Sequence, residues 1–279
     1  MSKRTVIAVV SDLHAGSTVA LCPERVTLDD GGEHLASKAQ RWLWSNWIDF
    51  WQRVKEARGR NDGLLLVVNG DLTEGDHHRT TQILSGNPTA QATVVNEDLR
   101  IPLALKPTGI AIIRGTEAHV GPSAAFEERI AVGLRKDGWP VYRDEDTGTC
   151  SHWHLPMTVN GVRLDFAHHG KYGTRPSTKL NTVAALAFDI FTTHALDGRP
   201  HPHLAFRSHM HQHADTHDLY PTRLVQTAAW QLKTAYVHRI NTMGKLSDIG
   251  GYIVACEGGR YELESVLYRP AAPVAWKVA

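Results

Sequence analysis

Residues 5–14 read Thr-Val-Ile-Ala-Val-Val-Ser-Asp-Leu-His, a run of apolar and β-branched residues that turns abruptly polar. The first six residues predict a strand that is buried on both faces. Asp12 and His14 follow that strand almost at once. An ionised carboxylate directly after a buried strand needs a compensating partner, such as a cation, an arginine or a helix N-terminus. The segment therefore predicts an internal strand of a sheet with a polar site at its carboxyl end.

The same change from apolar to polar residues occurs at four more places in the chain. Strands are predicted at residues 64–68 and 109–113, in the second half of a hairpin at 152–167, and at 203–207. The polar segments that follow are Asn69-Gly70-Asp71, Gly115-Thr116-Glu117-Ala118-His119, His168-His169-Gly170 and Ser208-His209-Met210-His211. Because ligands of open α/β sheets bind outside the carboxyl ends of the strands, we expect these segments to meet.

The residue types in these five segments indicate metal binding. Carboxylate oxygens and imidazole nitrogens are the ligands of hard and borderline divalent cations. Each segment alone is a weak signal, because an isolated Asp-x-His or His-x-His is usually a solvated loop. Five segments in this order predict one site with two metal ions, and paired metals are typical of phosphate-ester hydrolysis.

The remaining pattern predicts a layered fold. Amphipathic helices are expected at residues 33–58, 90–105, 123–136 and 182–195, and further strands at 222–226, 252–257 and 260–268. Strands alternate with helices early and pair with one another late, which favours an α/β/β/α sandwich of two mixed sheets flanked by helices. With no internal repeat and no linker, residues 1–279 are predicted to form a single domain.

Composition is that of an ordinary globular protein. The 279 residues are 42% hydrophobic and 21% charged, with a net charge of +1, which gives no sign of a strongly basic nucleic-acid binder. The three cysteines, Cys22, Cys150 and Cys256, are too widely spaced for a disulfide framework or a metal clip. The apolar start is too short for a signal peptide, and no stretch is long enough to span a membrane. We expect a cytoplasmic protein without a membrane partner.

The five segments resemble the motifs of the calcineurin-like metallophosphoesterase family, which run D-x-H, G-D, G-N-H-[DE], H and G-H-x-H. The matching residues are Asp12-Leu13-His14, Gly70-Asp71, a variant at Gly115–His119, His169 and His209-Met210-His211. The resemblance spans residues 6–213. Either His168 or His169 can supply the fourth motif, and His169 is preferred because it precedes Gly170, as in the family.

The resemblance implies two sets of metal ligands and a hydrolytic role. The first metal would be held by Asp12, His14 and His211, the second by His169 and His209, with Asp71 bridging the two. A hydroxide bridging the metals would attack phosphorus in line. Mixed nitrogen and oxygen ligation without thiolate suits Mn²⁺, which we expect here, and also Fe, Zn²⁺, Ni²⁺ and Co²⁺.

The third segment departs from the family. Thr116 replaces an asparagine that binds the second metal, and Glu117 replaces a histidine that protonates the leaving group. His119 lies two residues later and is predicted to return to the site, either as general acid or as the replacement ligand of the second metal. The alternative is weak binding of the second metal, with slow or lost activity.

Four basic residues next to these motifs are predicted to contact the substrate phosphate, namely Arg114, Lys171, Arg175 and Arg207. We expect a phosphodiester or nucleotide-type substrate, with nucleic acid included in that class. The competing hypothesis is a weakly active or inactive member that serves as a protein-binding scaffold. An aromatic helical face at residues 42–54 also suggests an oligomer.

Overall fold

A computed structural model of the protein describes residues 4–77, 80–171, 178–240 and 246–271. Its strands, in chain order β1 to β13, are Thr5–Val10, Arg25–Thr27, Glu33–Leu35, Gly63–Val68, Gly109–Ile113, Ser151–His152, His154–Val159, Val162–His169, Leu204–Ser208, Ala214–Asp215, Arg223–Gln226, Ile249–Glu257 and Arg260–Tyr268. Its α-helices, α1 to α6, are Lys38–Ala57, Pro88–Ala104, Glu117–Val120, Ala125–Lys136, Lys179–Leu196 and Ala235–Ile240. Short 3₁₀ turns lie at Pro122–Ala124 and His217–Leu219.

The strands form two mixed sheets. The first has six strands in the order β13-β12-β1-β4-β5-β6, and β1, β4 and β5 run parallel with full register from Thr5↔Gly63 to Val10↔Val68. The second has five strands in the order β10-β11-β9-β8-β7, with β8, β9 and β11 parallel. Strands β2 and β3 form a separate two-stranded ribbon.

Three apolar clusters fix the order of the layers. Ile7 and Val67 of the first sheet pack with Phe166 and Phe206 of the second, so the sheets lie face to face. The opposite face of the first sheet is covered by helices α1, α2 and α4. The outer face of the second sheet is covered by α5 through Val183. The predicted α/β/β/α sandwich of two mixed sheets flanked by helices is therefore confirmed.

The helix predicted at residues 33–58 is shorter than expected at its start. Residues Glu33–Leu35 form β3, and α1 begins only at Lys38. Ser37 and Gln40 form a capping box, in which each side chain accepts a hydrogen bond from the backbone N–H of the other. The box satisfies N–H groups at the helix start that have no partner within the helix, so the helix begins here. The predicted hairpin turn at Asn160-Gly161 is present, and both residues have positive φ (49° and 85°), as a type I′ turn requires.

The aromatic face of α1 points mainly inward. Trp47 is fully buried and Trp51 is 2% exposed, and the Trp47 ring meets Trp230 edge-on at 4.8 Å between centroids. The apolar spacing of this helix is therefore explained by the core, and the reason for expecting an oligomer is weakened. Among the described residues, no helix has the length and apolarity needed to cross a bilayer.

Candidate metal centre

The predicted polar segments meet at one edge of the two sheets. Asp12 and His14 follow β1, Asp71 follows β4, His168 ends β8, and His209 follows β9. The loops after β1 and β4 run side by side, because the Asp12 N–H donates to the Gly70 carbonyl at 2.9 Å and the His14 N–H to the Asp71 carbonyl at 3.0 Å. Loops from both sheets thus converge where the carboxyl ends of the parallel strands lie.

Backbone strain is concentrated at this convergence. Non-glycine residues seldom adopt positive φ, and such strain of roughly 1–3 kcal/mol each persists where a functional site requires it. Ten described non-glycine residues have positive φ, and half of them are ligand candidates. These five are Asp12 (54°), His14 (48°), Asp71 (55°), His209 (74°) and His211 (50°). If the strands simply continued, these side chains would point away from the site. The left-handed turns direct them into it.

One group of potential ligands combines Asp12, His14 and His211, whose ligand atoms all lie within 4.8 Å of one another. The His14 Nε2 and His211 Nε2 atoms are 3.1 Å apart. The Asp12 Oδ1 lies 3.3 Å from His211 Nε2 and 3.9 Å from His14 Nε2. This is the set of residues expected at the first metal.

A second group combines Asp71, His168 and His209 within the same limit. The His168 Nε2 lies 3.0 Å from Asp71 Oδ2, and its Nδ1 donates to the Asn69 carbonyl at 2.7 Å, which fixes the tautomer with Nε2 toward the site. His169, the ligand preferred from the sequence, is not in this group. The geometry favours His168, which is buried and belongs to this group, over His169, which is exposed.

Two positions beside the ligand candidates require glycine, Gly70 next to His168 and Gly115 next to Asp71. A Cβ added at Gly70, whose φ is 92°, would overlap the His168 ring, and one added at Gly115 would overlap the Asp71 carboxylate. The Gly115 N–H also donates to the buried Glu127 carboxylate at 2.6 Å. Both glycines therefore allow the backbone to approach the ligand side chains closely.

The two carboxylates each use one oxygen within the protein and turn the other toward the site. Asp71 Oδ1 accepts from the Thr116 N–H at 2.7 Å, and Asp12 Oδ2 accepts from the Ser11 hydroxyl at 2.6 Å. Asp12 Oδ1, Asp71 Oδ2 and His168 Nε2 are buried and face one another and the neighbouring imidazoles, with His168 Nε2 3.0 Å from Asp71 Oδ2 and His211 Nε2 3.3 Å from Asp12 Oδ1. Buried polar atoms without partners are rare and costly. A pair of divalent cations fits this donor set, because it would satisfy these inward-facing atoms together.

The electrostatics of the site also favour a cation. Burial opposes ionisation of Asp12, but His211 and His168 outweigh it and lower its pKa to about 2. Burial also disfavours the charged form of His168, yet Asp71 and Asp12 raise its pKa to about 10. In the metal-free protein the carboxylates therefore hold a proton on His168. A metal ion that binds there must displace this proton.

Glu74 is a site residue that the sequence reasoning missed. Its Oε2 lies 2.8 Å from His14 Nδ1 and accepts from the Gln231 amide at 2.7 Å, and its Oε1 lies 3.4 Å from His77 Nε2. Burial opposes its ionisation, but contacts with His14 and His77 lower its pKa to about 2. A carboxylate behind an imidazole orients it and increases its basicity toward a metal. Its signal in the sequence was an acidic residue three positions after Asp71.

His119 returns to the site, on the side of the first group. Its ring lies 4.5 Å from the His14 ring and it joins His14 and Glu74 in a further group of potential ligands. Its Nδ1 donates to the Glu74 carbonyl at 2.8 Å. Burial and the neighbouring His14 lower the pKa of His119 to about 4. This position favours proton transfer over replacement of a ligand in the group of Asp71.

The four basic residues predicted to contact the substrate phosphate have different surroundings in the structure. Arg207 is 8% exposed and binds Asp165 at 2.7 Å, on the strand face opposite Ser208, so its charge is already paired away from the site. Arg114 donates to the Ser151 hydroxyl at 2.9 Å and lies 3.5 Å from the Glu128 carboxylate. Lys171, two residues after His169 in the chain, is exposed. Arg175 lies outside the described residues.

A cavity of about 330 Å³ opens beside His77. The His77 ring lies 4.3 Å from the His119 ring, so the cavity adjoins the metal centre. The described part of its lining includes Asp76 and Glu117 together with Phe126, and no described lysine or arginine belongs to it. The lining suits the organic part of a ligand better than a second phosphate.

Comparison with known proteins assigns no family. No protein-family model matches the chain, and no curated protein matches it. Solved structures with a similar fold include a hypothetical protein from Pyrococcus horikoshii (8% identity, TM-score 0.44, covering 95% of this chain and 89% of that one). A dimetal phosphatase from Danio rerio has 9% identity and a TM-score of 0.40, covering 95% of this chain and 99% of that one. A predicted phosphoesterase from Streptococcus pneumoniae has 8% identity and a TM-score of 0.39, covering 95% of this chain and 90% of that one. At these values the chain is similar to them in fold only.

Proposed function

We propose that this chain is a metallophosphoesterase that hydrolyses a phosphate ester with two divalent cations. The observation that carries the proposal is the convergence of buried ligand atoms of Asp12, Asp71 and His168, which face one another from separate loops of both sheets. The first cation would be held by Asp12, His14 and His211 and the second by His168 and His209, with Asp71 between them. The resemblance of the motifs to the calcineurin-like family supports the same conclusion.

The chain supplies ligands, orientation and a proton path. Bound cations would lower the pKa of a water nucleophile and neutralise charge on the phosphoryl oxygens. Mn²⁺ is the ion that we propose, with Fe, Zn²⁺, Ni²⁺ and Co²⁺ as alternatives. Glu74 holds the His14 ring with Nε2 toward Asp12 and Asp71. His119, whose Nδ1 donates to the Glu74 carbonyl, would take a proton from a solvent water at Nε2 and pass it to the leaving oxygen, so that the hydroxide left behind is neutralised by bulk solvent.

The proposed substrate class follows from the cavity beside the metal centre and from a basic residue near the fourth motif. The cavity beside His77 would receive the organic part of the ester, and Lys171, which is exposed, is proposed to contact a phosphate oxygen. A phosphodiester or nucleotide-type substrate remains the preferred class. The buried, unpaired thiols of Cys22, Cys150 and Cys256 suit the reducing cytoplasm.

The proposal is tested by hydrolysis of paired aryl phosphomonoesters and phosphodiesters across a panel of divalent metals. We expect metal-dependent turnover that falls more than about 100-fold in Asp71→Asn, because a cation-bridging ligand contributes several kcal/mol to the barrier. Asp146→Asn, an exposed position in the loop before β6, is the matched control and should keep full activity. Protein that binds less than one equivalent of metal and hydrolyses neither ester would favour the scaffold hypothesis.

A further inference from the structure

Trp153 is an exposed aromatic residue at the edge of the sandwich. It lies between β6 and β7, and it is 49% exposed. Among the described residues it belongs to none of the three apolar clusters, so packing of the core does not explain its place. An aromatic side chain presents a large apolar surface with a π-face, and left in solvent beside a candidate site it is a potential contact for a ligand.

The pairing of the two flanking strands brings Trp153 to the same edge as the second group of ligands. Strand β6 pairs with the end of β5 through His152. Strand β7 pairs with β8 through His154 and Ala167, and Ala167 immediately precedes His168. Neighbouring strands lie about 4.8 Å apart. The residue between β6 and β7 therefore lies one strand away from the chain segments that carry the second group.

Arg114 holds the Trp153 ring in place. Its guanidinium carbon lies 5.3 Å from the ring centroid, which is the distance of a cation–π contact. The guanidinium is fixed in turn, because it donates to the Ser151 hydroxyl at 2.9 Å and lies 3.5 Å from the Glu128 carboxylate. Glu128 also accepts from the Ser151 N–H at 2.9 Å. A ring that is ordered before a ligand arrives loses less entropy when the ligand binds.

Trp153 and the cavity beside His77 adjoin different parts of the metal centre. The described lining of that cavity includes neither Trp153 nor Arg114. The cavity adjoins His119, to which the proposed function assigns protonation of the leaving oxygen. A phosphodiester has two organic arms, and only one of them departs with that oxygen. The cavity therefore suits the leaving arm, and Trp153 suits the arm that stays on phosphorus.

We propose that Trp153 is a stacking platform for an aromatic ring, such as a nucleobase, on the retained arm of a phosphodiester substrate. This inference rests on the proposed function and deepens it by naming the chemistry of that arm. Stacking of one base on an aromatic side chain changes affinity by about 5- to 150-fold, and it tolerates different bases because each has a π-face. The site therefore prefers aromatic diesters to alkyl diesters without selecting one base.

The experiment compares two phosphodiesters that share a nitrophenyl leaving group. Thymidine nitrophenyl phosphate retains a nucleoside, and methyl nitrophenyl phosphate retains a methyl group. Wild type, with the divalent metal that gives the highest turnover, should have a kcat/KM at least about 10-fold higher for the thymidine diester. Trp153→Ala should lower this ratio by about 10-fold, mainly through KM, because the lost contact is made by the bound substrate. Trp153→Phe keeps a ring and should keep most of the ratio.

Phe188→Ala is the matched control, because it removes an aromatic side chain of similar exposure, 48%, from α5. It should keep the wild-type ratio. A wild-type ratio near one, or a Trp153→Ala variant that keeps the wild-type ratio, overturns the inference and leaves the proposed function intact. Equal loss for both diesters in Trp153→Ala also overturns it, since such a loss assigns the ring a structural role. If wild type hydrolyses neither diester, the proposed function fails and the inference falls with it.

Discussion

At the scale of single residues, the site depends on polar atoms whose partners come from distant parts of the chain. Glu74 is the clearest example, since it is 1% exposed and lies within 3.4 Å of His14, Gln231 and His77. None of these contacts follows from the local sequence around residue 74. In the proposed metal centre Glu74 would be a positioning residue, which orients the His14 ring through its 2.8 Å contact with Nδ1.

Glu74→Gln should weaken metal binding without unfolding the protein. The amide keeps the shape but loses the negative charge that orients His14, and loss of such a partner typically costs about 10- to 100-fold in metal affinity. Calorimetric titration with Mn²⁺ measures this effect. Asp76→Asn, on the same loop but exposed, is the control and should leave metal affinity unchanged. Equal affinities in wild type and Glu74→Gln would remove Glu74 from the site.

At the scale of elements, the potential metal ligands follow or end strands, whereas the helices contribute apolar side chains to the core. Helix α2 packs into the core in this way, but it also buries one acidic residue. Asp98 is fully buried on this helix, and neither carboxylate oxygen has a hydrogen-bond partner among the described residues. Burial, together with the nearby Glu97, raises the pKa of Asp98 well above its ordinary value. Asp98 belongs to none of the groups of potential ligands among the described residues, and burial of its carboxyl without a partner opposes folding.

Asp98→Asn should stabilise the protein increasingly as the pH rises. The folded protein keeps a proton on Asp98 that the unfolded chain, with a pKa of about 3.9, releases. Stability from this group is therefore complete below about pH 4 and is lost as the pH rises through the raised pKa of the folded state. At pH 7.5 the variant should gain roughly 1–3 kcal/mol in the free energy of unfolding.

Urea unfolding at pH 5 and at pH 7.5 measures this gain. The difference between variant and wild type should be larger at the higher pH. Asp137→Asn, an exposed change at the end of α4, should show no such pH dependence. A gain that is the same at both pH values would show that Asp98 keeps its ordinary pKa in the fold.

At the scale of the whole molecule, the two sheets share the site between them. The carboxylates Asp12 and Asp71 come from the first sheet, and His168, His209 and His211 come from the second. Side-chain hydrogen bonds already bridge the sheets here, among them Asn69 to the Ser208 hydroxyl at 2.6 Å and His168 to the Asn69 carbonyl at 2.7 Å. Cations bound between carboxylates and imidazoles would also join the sheets at the edge where their loops meet.

Removal of metal should lower the thermal stability of the protein. Ligand that binds only the folded state adds about 2.7 kcal/mol at a concentration of 100 times Kd. For a chain of this size, that energy corresponds to a Tm shift of roughly 5–10 °C. Differential scanning calorimetry with Mn²⁺ and with a chelator tests this. The Asp12→Asn, Asp71→Asn double variant should show the same Tm under both conditions, and a wild type that does so as well would contradict metal bridging.

The sequence by itself determined the two-sheet sandwich and the types of ligand at each strand end. Hydrophobic runs and turn residues are local signals, and the ends of parallel strands must lie at a common edge. For this reason Asp12, His14, Asp71, His209 and His211 all lie where the pattern predicted.

Only the tertiary structure decided which of two adjacent histidines faces Asp71, since a bulge in β8 changes the direction of side chains without changing the sequence pattern. It likewise paired Arg207 with Asp165, and it placed Glu74 behind His14. These choices depend on which long-range neighbours satisfy a buried charge, and the distances between residues far apart in the chain are fixed only when the sheets pack together.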